Sequence, residues 1–310
     1  MEKRGFISLL TLTLVFSVAS FAETNPAPLK KTDQTVSYVD YDDGAYQKGV
    51  AHSYTPDDVK EIVIDNVTGL IWQNSEAIVN IPHSDAIAYC SDLSLGGYDD
   101  WRLPNIKELQ SIIKFGNDPI DPVFIYGDLD YFWSSTVDKQ FGDPFSVLFA
   151  RGYTTLWNAQ SHLFVRCARG DEQALPLTSL VSRDDANGIV TDHNTQLQWQ
   201  DDYGDNNPYV PYGFNWQEAI DYCETLTLGG SEDWRLPNIN ELSSLIDYYS
   251  DENHYRNPIF TTTSSSWGLW SSTTRNAVDT AAFSVYLQSG KVSPYNQKAG
   301  TAGARCVRDA

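Results

Sequence analysis

The sequence predicts an α+β fold in two tandem domains, each with two helices, a short-stranded and mainly antiparallel sheet, and one disulfide. Three observations carry this prediction. The string GGYDDWRLPNIKELQSII at 96–113 returns as GGSEDWRLPNINELSSLI at 229–246, and 16 of 24 positions from Cys90–Ile113 to Cys223–Ile246 are identical without a gap. Around both copies the apolar pattern changes from a helical period to strand alternation in the same order. The four cysteines fall at the same two places in each copy. An offset of 133 residues means duplicated globular domains, not a solenoid of short units.

The chain opens with Lys3 and Arg4, the apolar run FISLLTLTLVFSVASF, and small residues at Ser20 and Ala22. This pattern reads as a secretory signal ending at Ala22, since the run is short and lacks a stop-transfer flank. No later run is long enough to span a bilayer. The expected product is exported: periplasmic, cell-surface or secreted. The full chain's net charge of −20 repels nucleic acid, anionic membranes and sulfated polysaccharides, and is compatible with cations or neutral glycans.

Each copy repeats one order of elements. DNVTGLIWQ at 65–73 answers DHNTQLQWQ at 192–200 and reads as a strand after a turn. Ser84 to Leu93 follows with Ala86, Ile87, Cys90 and Leu93 on one helical face, matched by Ala219, Ile220, Cys223 and Leu226. Paired glycines and Leu-Pro then make a loop, and Asn105 and Asn238 stand as N-caps with Glu108 and Glu241 three places on, as in a capping box. The second helix carries Ile106, Leu109, Ile112 and Ile113, or Ile239, Leu242, Leu245 and Ile246, toward the core. Trp101 and Trp234 pack at its entry, with Arg102 and Arg235 held by Glu108 and Glu241. Trp72, Trp199, Trp133 and Trp270 sit in apolar, strand-like sequence and are expected inside. Phe145, Val147 and Phe149, answered by Phe283, Val285 and Leu287, alternate as strands.

Four cysteines in an exported chain imply two disulfides and permit three connectivities. Pairing within each copy, Cys90–Cys167 and Cys223–Cys306, is the pattern that gives both domains the same staple.

The ordered set DxxTGLxW, AxxYCxxL, GGxxDWRLPNxxEL, YFWSST and FVRCAR resembles the Lcl C-terminal domain family, named from a collagen-like bacterial adhesin. The resemblance covers both copies. DDGAYQKGVAHSYT at 42–55 is similar to the lead-in of such proteins and is counted with the first domain. The expected organisation is a signal peptide at 1–22, an extension at 23–41, a first domain at 42–170, a linker at 171–182 and a second domain at 183–310. More distantly, the skeleton is similar to the formylglycine-generating-enzyme group, which implies a C-type-lectin-like fold. That group's catalytic cysteine pair has no counterpart here, because all four cysteines stand at the disulfide positions.

Function is sought where the copies differ, because loops vary while a scaffold stays fixed. DDYGDNNPYVPYGFNW at 201–216 lengthens the second copy and offers Tyr203, Tyr209, Tyr212 and Phe214 as faces for a sugar ring. Its Asp201, Asp202 and Asp205 are candidate ligands for calcium, the one ion considered; no other cofactor is expected. Tyr248 and Tyr255, in the loop at 247–260, extend the candidate ligand site. No hydrolase, metalloprotease, phosphate-loop or dinucleotide motif is present. The expected function is non-catalytic binding of an extracellular glycan or other surface polymer, with no nucleic-acid partner. The rivals are an envelope protein-interaction module, an enzyme of unrecognised type on a formylglycine-generating-enzyme-like fold, and a surface protein in which calcium is structural.

Overall fold

A computed structural model of the chain describes residues 28–75, 79–116, 118–125, 131–171, 180–201, 213–250, 255–261, 268–275 and 278–310. After a single helical turn, α1 (Asp43–Tyr46), the first repeat runs β1 (Tyr54–Asp57), β2 (Ile62–Asp65), β3 (Ile71–Gln73), β4 (Asn80–Ile81), α2 (His83–Ser91), α3 (Ile106–Gln110), β5 (Tyr131–Val137), β6 (Pro144–Leu148), β7 (Tyr153–Leu156), β8 (Leu163–Phe164) and β9 (Ala168–Arg169). The second runs β10 (Val181–Asp184), β11 (Ile189–Asp192), β12 (Leu197–Gln200), α4 (Trp216–Glu224), α5 (Ile239–Ser244), β13 (Leu269–Thr274), β14 (Ala281–Tyr286), β15 (Lys291–Gln297) and β16 (Val307–Asp309). Strand β10 begins inside the stretch expected as linker.

Each repeat builds two sheets where one was expected. One sheet is the order β1-β2-β3-β9 and its copy β10-β11-β12-β16; the other is β4-β8-β5-β6-β7 and its copy β13-β14-β15. Among these named strands only β5 and β8 pair in parallel. The last strand of each repeat returns to the third, which places Cys167 and Cys306 beside the first long helix. Both intra-repeat disulfides, Cys90–Cys167 and Cys223–Cys306, are present as expected.

The helix starts behave as their residues dictate. Asn105 and Asn238 accept from the N–H of Glu108 and Glu241, whose carboxylates reach back to the cap N–H in full capping boxes. The same carboxylates take a two-pronged bond from Arg102 and Arg235, each prong 2.7 Å long. Trp101, Trp234, Trp72, Trp199, Trp133 and Trp270 are all buried. One helix departs from expectation. Ile220 is buried in α4, whereas its equivalent Ile87 in α2 is 46% exposed, so the apolar face of α2 narrows to Ala86 and Cys90.

The two repeats share one apolar core and meet about a pseudo-two-fold axis. Phe115 of the first repeat meets Phe283 of the second edge-to-face at 4.8 Å, and Tyr248 of the second meets Phe145 of the first at 4.9 Å. Phe115 and Tyr248 are equivalent positions, as are Phe145 and Phe283. This reciprocity is the mark of an isologous interface. Gly152 and Gly290, also equivalent, take positive φ (+57° and +65°) and lie against those rings: a Cβ at Gly152 would stand 2.5 Å from Phe115, and one at Gly290 3.1 Å from Phe145 and Tyr248. Beside the axis, the Val292 N–H donates to Thr154 Oγ1 at 2.8 Å, joining equivalent positions of β7 and β15.

Residues 28–50 strap this seam from outside. Lys30 pairs with the buried Asp65 of the first repeat at 2.5 Å, and the Thr32 carbonyl accepts from Phe115 N–H. Further on, Gln34 accepts from Thr274 N–H, Asp43 accepts from the Thr273 hydroxyl, and Tyr46 donates to Glu224, all in the second repeat. The lead-in at 42–55 therefore divides: Asp43, Tyr46 and Lys48 contact the second repeat, and Tyr54 enters β1 of the first.

Candidate ligand-binding surface

The outer face of the β5–β6–β7 sheet supplies a strip of aromatic rings. Register places Tyr131 opposite Leu148, and Leu148 opposite Tyr153, so their side chains share a face. Strand alternation then brings Tyr153, Thr155 and Trp157 to that same face. The chain can turn sharply into β7 because Gly152 accepts the left-handed conformation after the short helical turn Phe149–Arg151. The backbone N–H of Trp157 donates to the Pro144 carbonyl, and its ring packs edge-on to Tyr131 at 5.2 Å.

The strip crosses into the second repeat. Tyr295, on the outer face of β15, packs edge-on to Tyr153 at 5.6 Å. Its hydroxyl accepts from Arg151 at 2.9 Å, and the Arg275 guanidinium lies 5.2 Å over its ring. Trp157 and Tyr295 remain 37% and 42% exposed, while Tyr131 and Tyr153 are half-buried. Burial and the neighbouring Tyr153 and Tyr295 push the Tyr131 phenol up, so it stays a neutral donor. The bond to Tyr295 holds Arg151 above the ordinary arginine range. The arrangement offers flat apolar faces rimmed by phenol hydroxyls and guanidinium N–H groups.

The residues singled out from the sequence do not join this strip. Asp202, Tyr203, Asp205, Tyr209 and Tyr212 lie outside the described residues. Phe214 is half-buried, stacks on Tyr222 at 5.1 Å, and exchanges backbone bonds with Ala302, so its ring is spent on packing. Tyr248 is 2% exposed in the inter-repeat core and presents no open face. Tyr255 is half-buried against Phe145 and donates to Asp138 of the first repeat. Asp201 is buried, with Arg183, Arg305 and both the N–H and hydroxyl of Thr261 on its oxygens. A carboxylate so saturated with donors is not arranged for calcium. Among the described residues no group of three or more His, Cys, Asp or Glu side chains is placed to hold a metal ion.

The candidate residues of the sequence lie in loops, which differ between the copies, whereas the strip lies on strands, where the YTTLW alternation from Tyr153 to Trp157 is its signal. The strip differs too: Tyr131 is answered by Gly268 and Tyr153 by Lys291.

With fold and surface in view, the chain belongs to the Lcl C-terminal domain family, whose model matches it twice, at 61–169 and 188–308. No curated protein matches the chain significantly. Among the described residues, no helix is long and apolar enough to cross a membrane.

Proposed function

We propose that this is an exported, non-catalytic, adhesin-like binding protein that takes a carbohydrate or related surface polymer on the aromatic strip. The observation that carries the reading is the pair of exposed rings, Trp157 and Tyr295, each braced edge-on by a tyrosine and rimmed by hydrogen-bond donors. A sugar ring has an apolar C–H face and a polar edge, and such a surface meets both. Large, rigid aromatics also supply contact area at low conformational-entropy cost. The two disulfides support an oxidising, extracytoplasmic location. The same reading takes each repeat as C-type-lectin-like, supported by the disulfide from the first long helix to the start of the last strand.

The test is a glycan array probed with the mature oxidised protein and with Trp157→Ala. Saturable binding to one glycan class, lost in the variant while its melting curve holds, is the expected result. A silent array for the wild type refutes the reading.

A further inference from the structure

The two repeats bring unequal chemistry to equivalent places in the strip. Trp157 and Tyr295 correspond, both being 138 residues apart like Gly152 and Gly290, so each repeat contributes one exposed ring there. Around Trp157 the first repeat supplies its own brace, Tyr131. The second repeat has Gly268 at that place, and the Tyr286 ring fills the space, 3.1–3.3 Å from where a Cβ would stand. Tyr286 turns its hydroxyl to Asn296. Tyr295 is therefore braced from across the axis: its edge-on partner Tyr153 and the donor to its hydroxyl, Arg151, both belong to the first repeat. Arg275, over its ring, comes from its own.

Two separate weak sites gaining avidity through a linker do not suit this geometry. The strands that carry the rings, β7 and β15, are joined beside the pseudo-two-fold axis by the Val292–Thr154 bond and by the shared core beneath. Trp157 with Tyr131 against it, and Tyr295 with Tyr153 against it, therefore stand on adjoining strands of one face and not as a pair of independent cups.

We propose that the chain has one composite site, in which a single linear glycan strand lies across the β7–β15 junction, with Trp157 under one stretch and Tyr295 under another. This rests on the reading of the strip as a glycan surface. A strand, not a terminal sugar, is the occupant because the exposed rings that would meet it come one from each repeat, Trp157 from the first and Tyr295 from the second. The guanidinium groups of Arg151 and Arg275 then sit at the second-repeat end, where they can donate to sugar hydroxyls.

Titration calorimetry tests this on the intact oxidised protein, using short and long members of one linear oligosaccharide series from the class the array selects. The expected result is one oligosaccharide per chain, tighter binding for the longer members, and a loss of about tenfold or more in affinity for Trp157→Ala and for Tyr295→Ala separately, as for buried aromatic anchors at interfaces. Two oligosaccharides per chain, or full affinity in either variant while the other loses it, overturns the composite site and leaves the glycan reading standing. Absence of binding to any glycan on the array removes both together.

Discussion

Asp201 lies inside the second repeat with its Oδ1 3.5 Å from the Arg305 guanidinium, whereas the first repeat sets neutral Asn74 3.4 Å from the equivalent Arg166. The copies solve one problem in two ways. In the second, Arg183 adds another cation to Asp201; in the first, that position is Pro56 and the Asn74 amide donates to the Val123 carbonyl instead. Arg166 is left to the carbonyls of Gln73 and Ile125, and burial pushes its pKa down to about 10. Asp201→Asn should therefore cost about 3–5 kcal/mol, since it leaves two guanidinium groups facing an amide. Adding Arg183→Ala recreates the first-repeat arrangement, so the double variant should lose less than the sum of the singles. Urea unfolding of the three variants checks the coupling; strict additivity would contradict it.

The same contrast appears at the helix entries. Arg235 and Glu241 are each 5% exposed, while Arg102 is 27% exposed over a Glu108 that is fully buried. Water can reach the first pair and replace part of a lost guanidinium; it cannot reach the second as readily. Arg235→Ala should destabilise the protein by about 1 kcal/mol or more beyond Arg102→Ala, because a buried carboxylate without its partner carries the full desolvation cost. Denaturation midpoints of the two variants, measured side by side, decide it.

Much of each repeat was legible because its signals are local. The Asn105 and Asn238 caps, the buried tryptophans and the cysteine pairing all follow from residues a few places apart or from their duplication. The junction was not legible for the opposite reason. Phe115, Phe145, Tyr248 and Phe283 read as core or loop aromatics of their own repeat, and nothing in their local pattern says that each is covered by the other copy. Tyr248 and Tyr255 attracted a ligand-binding role as aromatics in an acidic loop, and the neighbouring repeat covers them. Ile87 and Ile220 share a helical position, yet only tertiary packing makes one exposed and the other buried. The strip was half legible: its alternation is visible in sequence, but its continuation onto Tyr295 depends on the axis.

The strap carries a pH response. Asp43 is buried with Oδ2 accepting from the Thr32 and Thr273 hydroxyls, and Oδ1 has no partner among the described residues. Burial, with a smaller push from Glu241 and Asp42, raises its pKa to about 7 against an ordinary 3.8, while the two hydroxyls pull the other way. The folded state thus holds this proton after the unfolded chain has lost it. Its stabilising contribution is complete below about pH 4, declines as pH rises toward 7, and is gone above, a swing of roughly 4 kcal/mol at most. Asp43→Asn should remove that slope and be more stable than the wild type at pH 8. Unfolding free energies across pH 5–8 give the answer, and parallel profiles for the two proteins would refute it.

Because the repeats share a core, they should unfold as one unit. Interfaces between domains are commonly small and polar and let domains move or melt separately. Here the seam is apolar, reciprocal and crossed by the strap, so calorimetry of the wild type should show one transition. Phe145→Ala and Phe283→Ala each delete a ring from the seam, and each should cost about 3–5 kcal/mol. Phe145 also packs on Tyr255, so its loss should be the larger. Gly152→Ala should also destabilise, and more than Gly290→Ala, since its Cβ would meet Phe115 at 2.5 Å against 3.1 Å for the other, with positive φ at both. Weakening the seam while each disulfide still staples its own repeat should separate the single transition into two. A wild type that already melts in two steps would show that the shared core does not couple the repeats.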